Sequence, residues 1–460
     1  MNTEAKMDGD GAPARNTHER LNAVLSRKGE ALSPRALRRL LDMLRAVIDP
    51  RVGEVEGGRR AQALMAWYEE AGPDGQRDCW LLMSEQFLAD PERTKTAQAQ
   101  YAAAVGTPDE AAAEVRLRRA TVSPRRRILQ RISVRPEGVR FLVDLRAQVL
   151  PHLRAHPSLR ALDVEMEYMF STWFDVGFLE LRRLSWDSPA SLIEKLIKYE
   201  AVHDIRSWAD LKNRLDSDRR CYGFFHPRMP DEPLIFVEVA LLGEMADSIT
   251  PLLDESAANA DLAKATTAIF YSISNTQPGL RGVSFGDSLI KHVVDTLKAE
   301  FPRLKVFATL SPIPGLRAWL GKNADSVLEA MTARGQQALA RELGQPPSQK
   351  ALLAALEGVA NLPENSALRR WLLAGAARYL VKGIEGDKPL DPVARFHLGN
   401  GARVERLNWL ADPSAKGLRQ SYGLMVNYLY DLKRLDRNRA LLTQGKVPVS
   451  AAVESLQDAG

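Results

Sequence analysis

Three short stretches carry residue types and spacings that can do chemistry. The first is "ATLSPIPGL", residues 308–316, which sets Ser311 between an apolar run and two prolines. Ser311 follows a strand-like segment, "LKVFATL" at 304–310, at its C-terminal end, where α/β sheets open the crevices that hold ligands. Pro312 and Pro314 restrict the backbone behind it. No G-x-S-x-G elbow surrounds the serine, so a hydrolase triad is not supported. Ser311 is then either a hydroxyl donor facing a cleft or a strand-end serine making a local bond.

The second stretch is "DPVARFHLGNGARVERLNW", with His397 ahead of an Asn-Gly pair. Leu-Gly-Asn-Gly reads as a tight turn. A histidine held there faces a cleft or completes the turn. Its ordinary pKa, about 6.5, lets it donate or accept a proton near neutrality. The third is "NTQPGLRGVSFGDSLIKHVV", where Gly279, Gly282 and Gly286 lie between strand-like and helix-like segments. Glycines let backbone approach a ligand, and free amides at a helix start can hold a diphosphate. Arg281 adds a charge-assisted donor. The pattern is neither GxGxxG nor a Walker loop, so a plain connecting loop is the other reading. Further on, "GLRQSYGLMVNYLYDL" at 417–432 offers Asn427, Tyr428 and Tyr430, either as pocket residues or as the apolar side of an amphipathic helix.

The remaining reactive residues are weaker candidates. His152 and His156 are four apart without an acidic or cysteine companion at metal spacing. His226 falls in a turn and His292 inside a helix-like segment. Two cysteines, Cys79 and Cys221, make neither a tetrahedral thiolate site nor a disulfide framework, which suits a reducing cytoplasm. No metal site is expected. "RLRRATVSPRRRILQRISVR", 116–135, holds eight arginines and no acid. Such a stretch can bind phosphates. No nucleic-acid motif accompanies it, so a basic helix face or a subunit contact is the preferred reading.

The elements that position these residues fall into two parts. Up to about residue 200 the pattern is helical. In "SPRALRRLLDMLRAVID", Ser33 is an N-cap, Pro34 suits the first helical position, and Leu37, Leu40, Leu41 and Leu44 recur at helical spacing. "EGVRFLVDLRAQVLPHL" gives another helix, stopped near Pro151. From Cys221 the character changes. "LIFVEVALL" at 234–242 and "TAIFYSIS" at 267–274 read as strands, and "DSLIKHVVDTLKAEF" as a helix before the strand at 304–310. A crossover of this kind makes the flanking strands parallel. "MTARGQQALARELGQPPSQKALLAALEG" is a helical insertion.

Composition bounds these readings. A chain of 460 residues exceeds one ordinary core, so two domains are expected. Net charge is +5, which favours anionic partners. No run of eighteen apolar residues occurs, and the N-terminus has no secretory pattern, so neither a membrane span nor a signal peptide is expected. Residues 1–20 read as a mobile arm.

Taken together, "STWFDVGFLELRRLSWDSP", "EAVHDIRSWADLKNRLDSDRRCYGFFHP", "SISNTQPGLRGVSFGDSLIK", "LSPIPG", "FHLGNGA" and "SYGLMVNYLY" resemble the malonyl-CoA decarboxylase family, in the family's order. The resemblance implies a helical-bundle domain over 21–175 that serves oligomerisation. It implies a catalytic domain over 176–460, a GNAT-like mixed sheet with helical insertions, in which two parallel strands splay to admit the pantetheine arm. The implied reaction converts malonyl-CoA to acetyl-CoA and CO2. The implied catalytic pair is Ser311 and His397, with Ser311 orienting the carboxylate and His397 moving a proton. The family's diphosphate loop falls on Gly279, Arg281, Gly282, Val283, Gly286 and Asp287, with Ser284, Asn427 and Tyr430 as candidate pocket residues. Ser284 stands where vertebrate members carry a glutamate, so that carboxylate's role does not transfer. No permanently bound cofactor is implied, since CoA belongs to the substrate. A cytoplasmic homo-oligomer without nucleic-acid or membrane partners is expected. A GNAT-type N-acyltransferase, or a non-enzymatic nucleic-acid-binding or scaffold protein, is the alternative.

Overall fold

The structure is a computed structural model that describes residues 32–283, 289–386 and 388–458. The expected arm over 1–20 lies outside them, as do Ser284, Gly286 and Asp287. The chain forms two compact units. One is built from the chain up to Asp175 and the segment that starts at Gln277. The other takes Val176–Thr276 and the chain beyond residue 284.

The first unit is helical. Helix Pro34–Ile48 begins as its sequence requires: the Ser33 hydroxyl accepts from the Ala36 amide at 3.3 Å and proline fills the first turn. Leu37, Leu40, Leu41, Leu44 and Val47 are all buried on one stripe. Each contributes about 1.5–3 kcal/mol by leaving water. Helices Glu54–Glu70, Pro73–Gln86, Pro124–Ser133, Gly138–Val149 and Arg160–Trp173 complete the core of the unit.

The basic stretch is partly internal. Arg125 is buried and donates to the carbonyls of Met83 and Ser84, in the last turn of their helix. Buried Arg131 donates to the carbonyls of Val47 and Val52. Arg126 pairs with Glu165 at 2.6 Å. Helix ends leave carbonyls without intrahelical partners, and a guanidinium satisfies several at once. Three of the eight arginines thus hold helices together rather than presenting a uniform basic face.

The second unit is built on a mixed sheet. Its strands are β1 (Glu180–Leu184), β2 (Arg219–His226), β3 (Met229–Leu242), β4 (Thr267–Asn275), β5 (Val306–Thr309), β6 (Ser311–Pro312), β9 (Arg403–Asn408) and β10 (Met425–Leu429). A separate hairpin holds β7 (Ile384–Glu385) and β8 (Lys388–Pro389). The order is β1-β2-β3-β4-β5-β10-β6, with β9 on β10. Neighbours are antiparallel except β4 and β5, which run parallel as the strand–helix–strand pattern predicts. Helix Leu289–Glu300 lies between them in the chain.

Helical insertions occur as expected, at Ala333–Leu343 and Gln349–Ala355. The segment 417–432 is a correction. Only Ala415–Ser421 is helical, and Met425–Leu429, which carries Asn427 and Tyr428, is strand β10. Tyr422 and Gly423, both at positive φ, end the helix and turn the chain into the strand. Among the described residues no helix is long and apolar enough to cross a membrane.

Candidate active site

Pairing between β4 and β5 covers Thr267↔Val306 to Phe270↔Thr309 and then stops. Strand β4 continues to Asn275 against β3. The other chain passes to β6, where Ser311 pairs with Val426 of β10. The sheet therefore opens just beyond Phe270 and Thr309. A cavity of about 200 Å³ occupies that opening. Tyr271, Ser272, Ile273 and Asn275 line it from β4, Ser311 and Pro312 from β6, and Pro392, Val393, Phe396 and His397 from helix Pro392–Gly399.

A β-bulge marks the same place. The β3–β4 register steps from Glu238↔Ser272 to Val239↔Phe270, which leaves Tyr271 without a partner across the ladder. Bulges recur beside active sites because the extra residue re-aims its neighbours.

Ser311 and His397 meet in this cavity. Ser311 Oγ lies 3.2 Å from His397 Nε2 and donates to Thr309 Oγ1 at 2.8 Å. The Tyr428 amide also donates to Thr309 Oγ1, at 3.2 Å. His397 Nδ1 is 2.7 Å from the Tyr430 hydroxyl. The imidazole stacks on Tyr428, with centroids 4.7 Å apart. These bonds agree on one tautomer. If Ser311 donates to Thr309, then Nε2–H donates to Ser311 and the Tyr430 hydroxyl donates to Nδ1.

His397 is not in a turn, as the Asn-Gly pair suggests, but in the last turn of helix Pro392–Gly399. The overlooked signal is Asp391-Pro392, an N-cap followed by proline. Burial pushes the His397 pKa down to about 3. Burial likewise holds the Tyr430 hydroxyl well above its ordinary range. Because the unfolded chain takes up the histidine proton near 6.5 and the folded one near 3, stability is full above pH 6.5 and falls as pH drops toward 3. At pH 4 this amounts to about 3 kcal/mol at 1.36 kcal/mol per unit. Urea unfolding at pH 7 and pH 4 should show a stability loss smaller by about that amount in His397→Asn than in the parent.

Asn427 lies behind the cavity, not in its lining, which corrects its assignment as a pocket residue. It is fully buried. Its amide is taken up by neighbours: Oδ1 accepts from Arg406 and Asn408, and Nδ2 donates to the carbonyls of Thr309 and Ala246. Tyr430 is also absent from the lining and acts through His397. Tyr428, offered by the sequence as a pocket residue, stacks on His397, while Thr309, Ser272 and Phe396 are further site residues with no spacing signal of their own.

In the glycine loop, the amides of Leu280, Arg281 and Val283 bond to the carbonyls of Gln277, Pro278 and Leu280. They are engaged rather than free. Gly279 is packed so closely on the Val143 carbonyl that a Cβ would collide with it. Gly282 sits at φ +83, a conformation that favours glycine. Arg146 holds the segment through the carbonyls of Gly279 and Arg281, at 2.8 and 2.9 Å. Val283 is buried, and the Arg281 side chain is exposed.

A larger cavity, about 610 Å³, lies beside Leu242, Arg219 and Arg406, and its lining holds neither histidine nor cysteine. Among the described residues no three metal-ligating side chains gather.

Residues 177–459 match the family described as Malonyl-CoA decarboxylase C-terminal domain, and residues 87–174 match Malonyl-CoA decarboxylase N-terminal domain. The chain belongs to the malonyl-CoA decarboxylase family. Malonyl-CoA decarboxylase, mitochondrial, of Mus musculus is 41% identical over 345 residues, covering 71% of this chain and 69% of that one. The protein of that name from Anser anser anser is 36% identical over 403 residues, covering 84% and 77%. The crystal structure of malonyl-CoA decarboxylase from Rhodopseudomonas palustris is 42% identical, with a TM-score of 0.78 over 91% of this chain and 99% of that one. That from Cupriavidus metallidurans is 44% identical, with a TM-score of 0.75 over 92% and 100%. A helical part followed by a mixed-sheet part is thus the arrangement of this family.

Proposed function

We propose that the chain decarboxylates malonyl-CoA to acetyl-CoA and CO2, with Ser311 orienting the departing carboxylate and His397 moving the proton. The carrying observation is the hydrogen-bonded Ser311–His397 pair at the opening between β4 and β5.

The bond from C2 to the carboxylate carbon breaks, and its electron pair passes into the thioester as an enolate. Negative charge grows on the thioester oxygen, so donors aimed there lower the barrier. Backbone amides around the bulge at Tyr271 suit this role. The carboxylate needs direction rather than neutralisation, since a cation clamped on it stabilises the ground state as well. Among the described residues lining the cavity none is lysine or arginine, which supports a neutral donor such as the Ser311 hydroxyl, turned from Thr309 to the carboxylate when substrate binds.

His397, neutral when the site is empty, meets an anion when substrate arrives. A nearby carboxylate favours the imidazolium. The proton taken up with substrate passes to C2 as CO2 departs, so one proton enters for each malonyl group lost.

The same reading assigns the CoA diphosphate to the loop with Gly279, Arg281, Gly282, Val283, Gly286 and Asp287. The exposed Arg281 side chain supports it. Two free, buried thiols, Cys79 and Cys221, suit a reducing cytoplasm. A homo-oligomer belongs to the reading too. Exposed Val55 and Tyr168 of the helical unit support it, and sedimentation measures it.

Malonyl-CoA alone tests the activity. CO2 and acetyl-CoA should form in equal amounts with no amine present. A requirement for an amine acceptor would instead favour an N-acyltransferase. Arg281→Ala should weaken CoA affinity by about tenfold, the worth of one charge-assisted bond, as read by calorimetry. Unchanged affinity removes Arg281 from the site.

A further inference from the structure

Ser311 and His397 are 86 residues apart, on different elements, and their polar atoms are held 3.2 Å apart. One buried side chain bonds to both elements. Asp391 Oδ1 accepts from the amides of Val393 and Ala394, at 2.9 and 3.0 Å, as the N-cap of the helix that carries His397. Asp391 Oδ2 accepts from the Gly315 amide at 3.3 Å and from the Tyr379 hydroxyl at 3.4 Å. Gly315 closes the short Pro-Ile-Pro segment that leaves Ser311. A Cβ on Gly315 would collide with the Tyr379 hydroxyl, so only glycine lets the turn approach this carboxylate.

We propose that Asp391 is a positioning residue for decarboxylation: its carboxylate ties the turn after Ser311 to the start of the His397 helix and so sets the Ser311–His397 distance. It does not line the cavity. It is 1% exposed, and a carboxylate so deep is retained only where donors surround it. Four donors do so here. Burial raises its pKa, and these four bonds oppose the rise.

The two halves of the role separate by mutation. Asparagine keeps an oxygen for the helix cap and is as good an N-cap as aspartate. Its other atom becomes an NH2 facing the Gly315 amide, donor against donor. Tyr379 can turn its hydroxyl to accept, but the Gly315 amide cannot. Asp391→Asn thus breaks the tie and spares the cap.

The proposal deepens the Ser–His reading and rests on it. Steady-state kinetics on malonyl-CoA should give Asp391→Asn a kcat lower by about 10- to 100-fold, because small misplacements of reacting groups are expensive. KM, and acetyl-CoA affinity by calorimetry, should stay within about twofold. In a Ser311→Ala background, Asp391→Asn should add almost nothing, since the group it positions is gone. A purely structural role would reduce both backgrounds alike. Should Asp391→Asn fail to fold, Gly315→Ala serves in its place and should show the same kcat loss, again absent in the Ser311→Ala background. Parental kcat in the folded single variant, a loss confined to KM, or equal losses in both backgrounds overturns the proposal. A fully active Ser311→Ala protein overturns the Ser–His reading as well.

Discussion

Ser311→Ala and His397→Asn each lower malonyl-CoA decarboxylation by roughly 10²-fold or more, while acetyl-CoA binding stays within about twofold. Ser311→Ala removes the acceptor of His397 Nε2–H, but that residue lines the cavity, where water can take the bond. Loss of the Ser311 hydroxyl leaves Thr309 Oγ1 its bond from the Tyr428 amide. Asparagine at 397 retains a polar end toward Tyr430 or Ser311. On the proposed mechanism, what disappears is the hydroxyl that directs the carboxylate and the group that carries a proton to C2. If the proton comes from His397, the histidine variant also loses the one-proton uptake on substrate binding, measurable by calorimetry in buffers of different ionisation enthalpy. Parental turnover by either variant ends its catalytic assignment.

The second large effect is on stability. Arg214→Met destabilises the protein by about 3–5 kcal/mol, because removing one partner of a buried ion pair strands the others. Arg214 is 1% exposed and bonds to Asp210 at 2.7 Å and to Glu238 at 2.9 Å. Glu238 is itself fully buried on β3, among residues that read as an apolar strand. Burial and the nearby Glu200 push the Glu238 pKa up to about 8, even against the attraction of Arg214. Burial works against the Arg214 charge, yet Glu238 and Asp210 hold its pKa above the ordinary value. A loss under 1 kcal/mol in urea unfolding at pH 7 would show that the network is not structural. The variant's loss should grow as pH rises through about 8, where Glu238 ionises beside Arg214 in the parent but stays protonated without it.

Patterns that local geometry alone produces were legible. Leucine spacing and the Ser33 cap define the helix at Pro34–Ile48. Apolar runs of β-branched and aromatic residues mark β3, β4 and β5, and the intervening helix makes β4 and β5 parallel. Local rules misread two places. Gly-Asn-Gly after His397 hid a helix end, because the capping signal lay six residues earlier at Asp391. Tyrosines and Asn427 at mixed spacing did not reveal strand β10, whose two faces are both buried.

Residue types and order alone determined the helical-then-sheet division and the family those motifs resemble, and through that resemblance named Ser311 and His397 as the candidate pair. Only the tertiary structure decided what those residues touch. The Ser311–His397 contact, the sheet opening beyond Phe270 and Thr309, and the depressed histidine pKa all come from atoms far apart in the chain. Asp391 and Asn427 belong to the same class: one joins two segments and the other locks Thr309 from behind. Spacing reports neighbours within a turn or a strand. Burial and hydrogen bonding across the core depend on which distant elements pack together, and no local pattern encodes that.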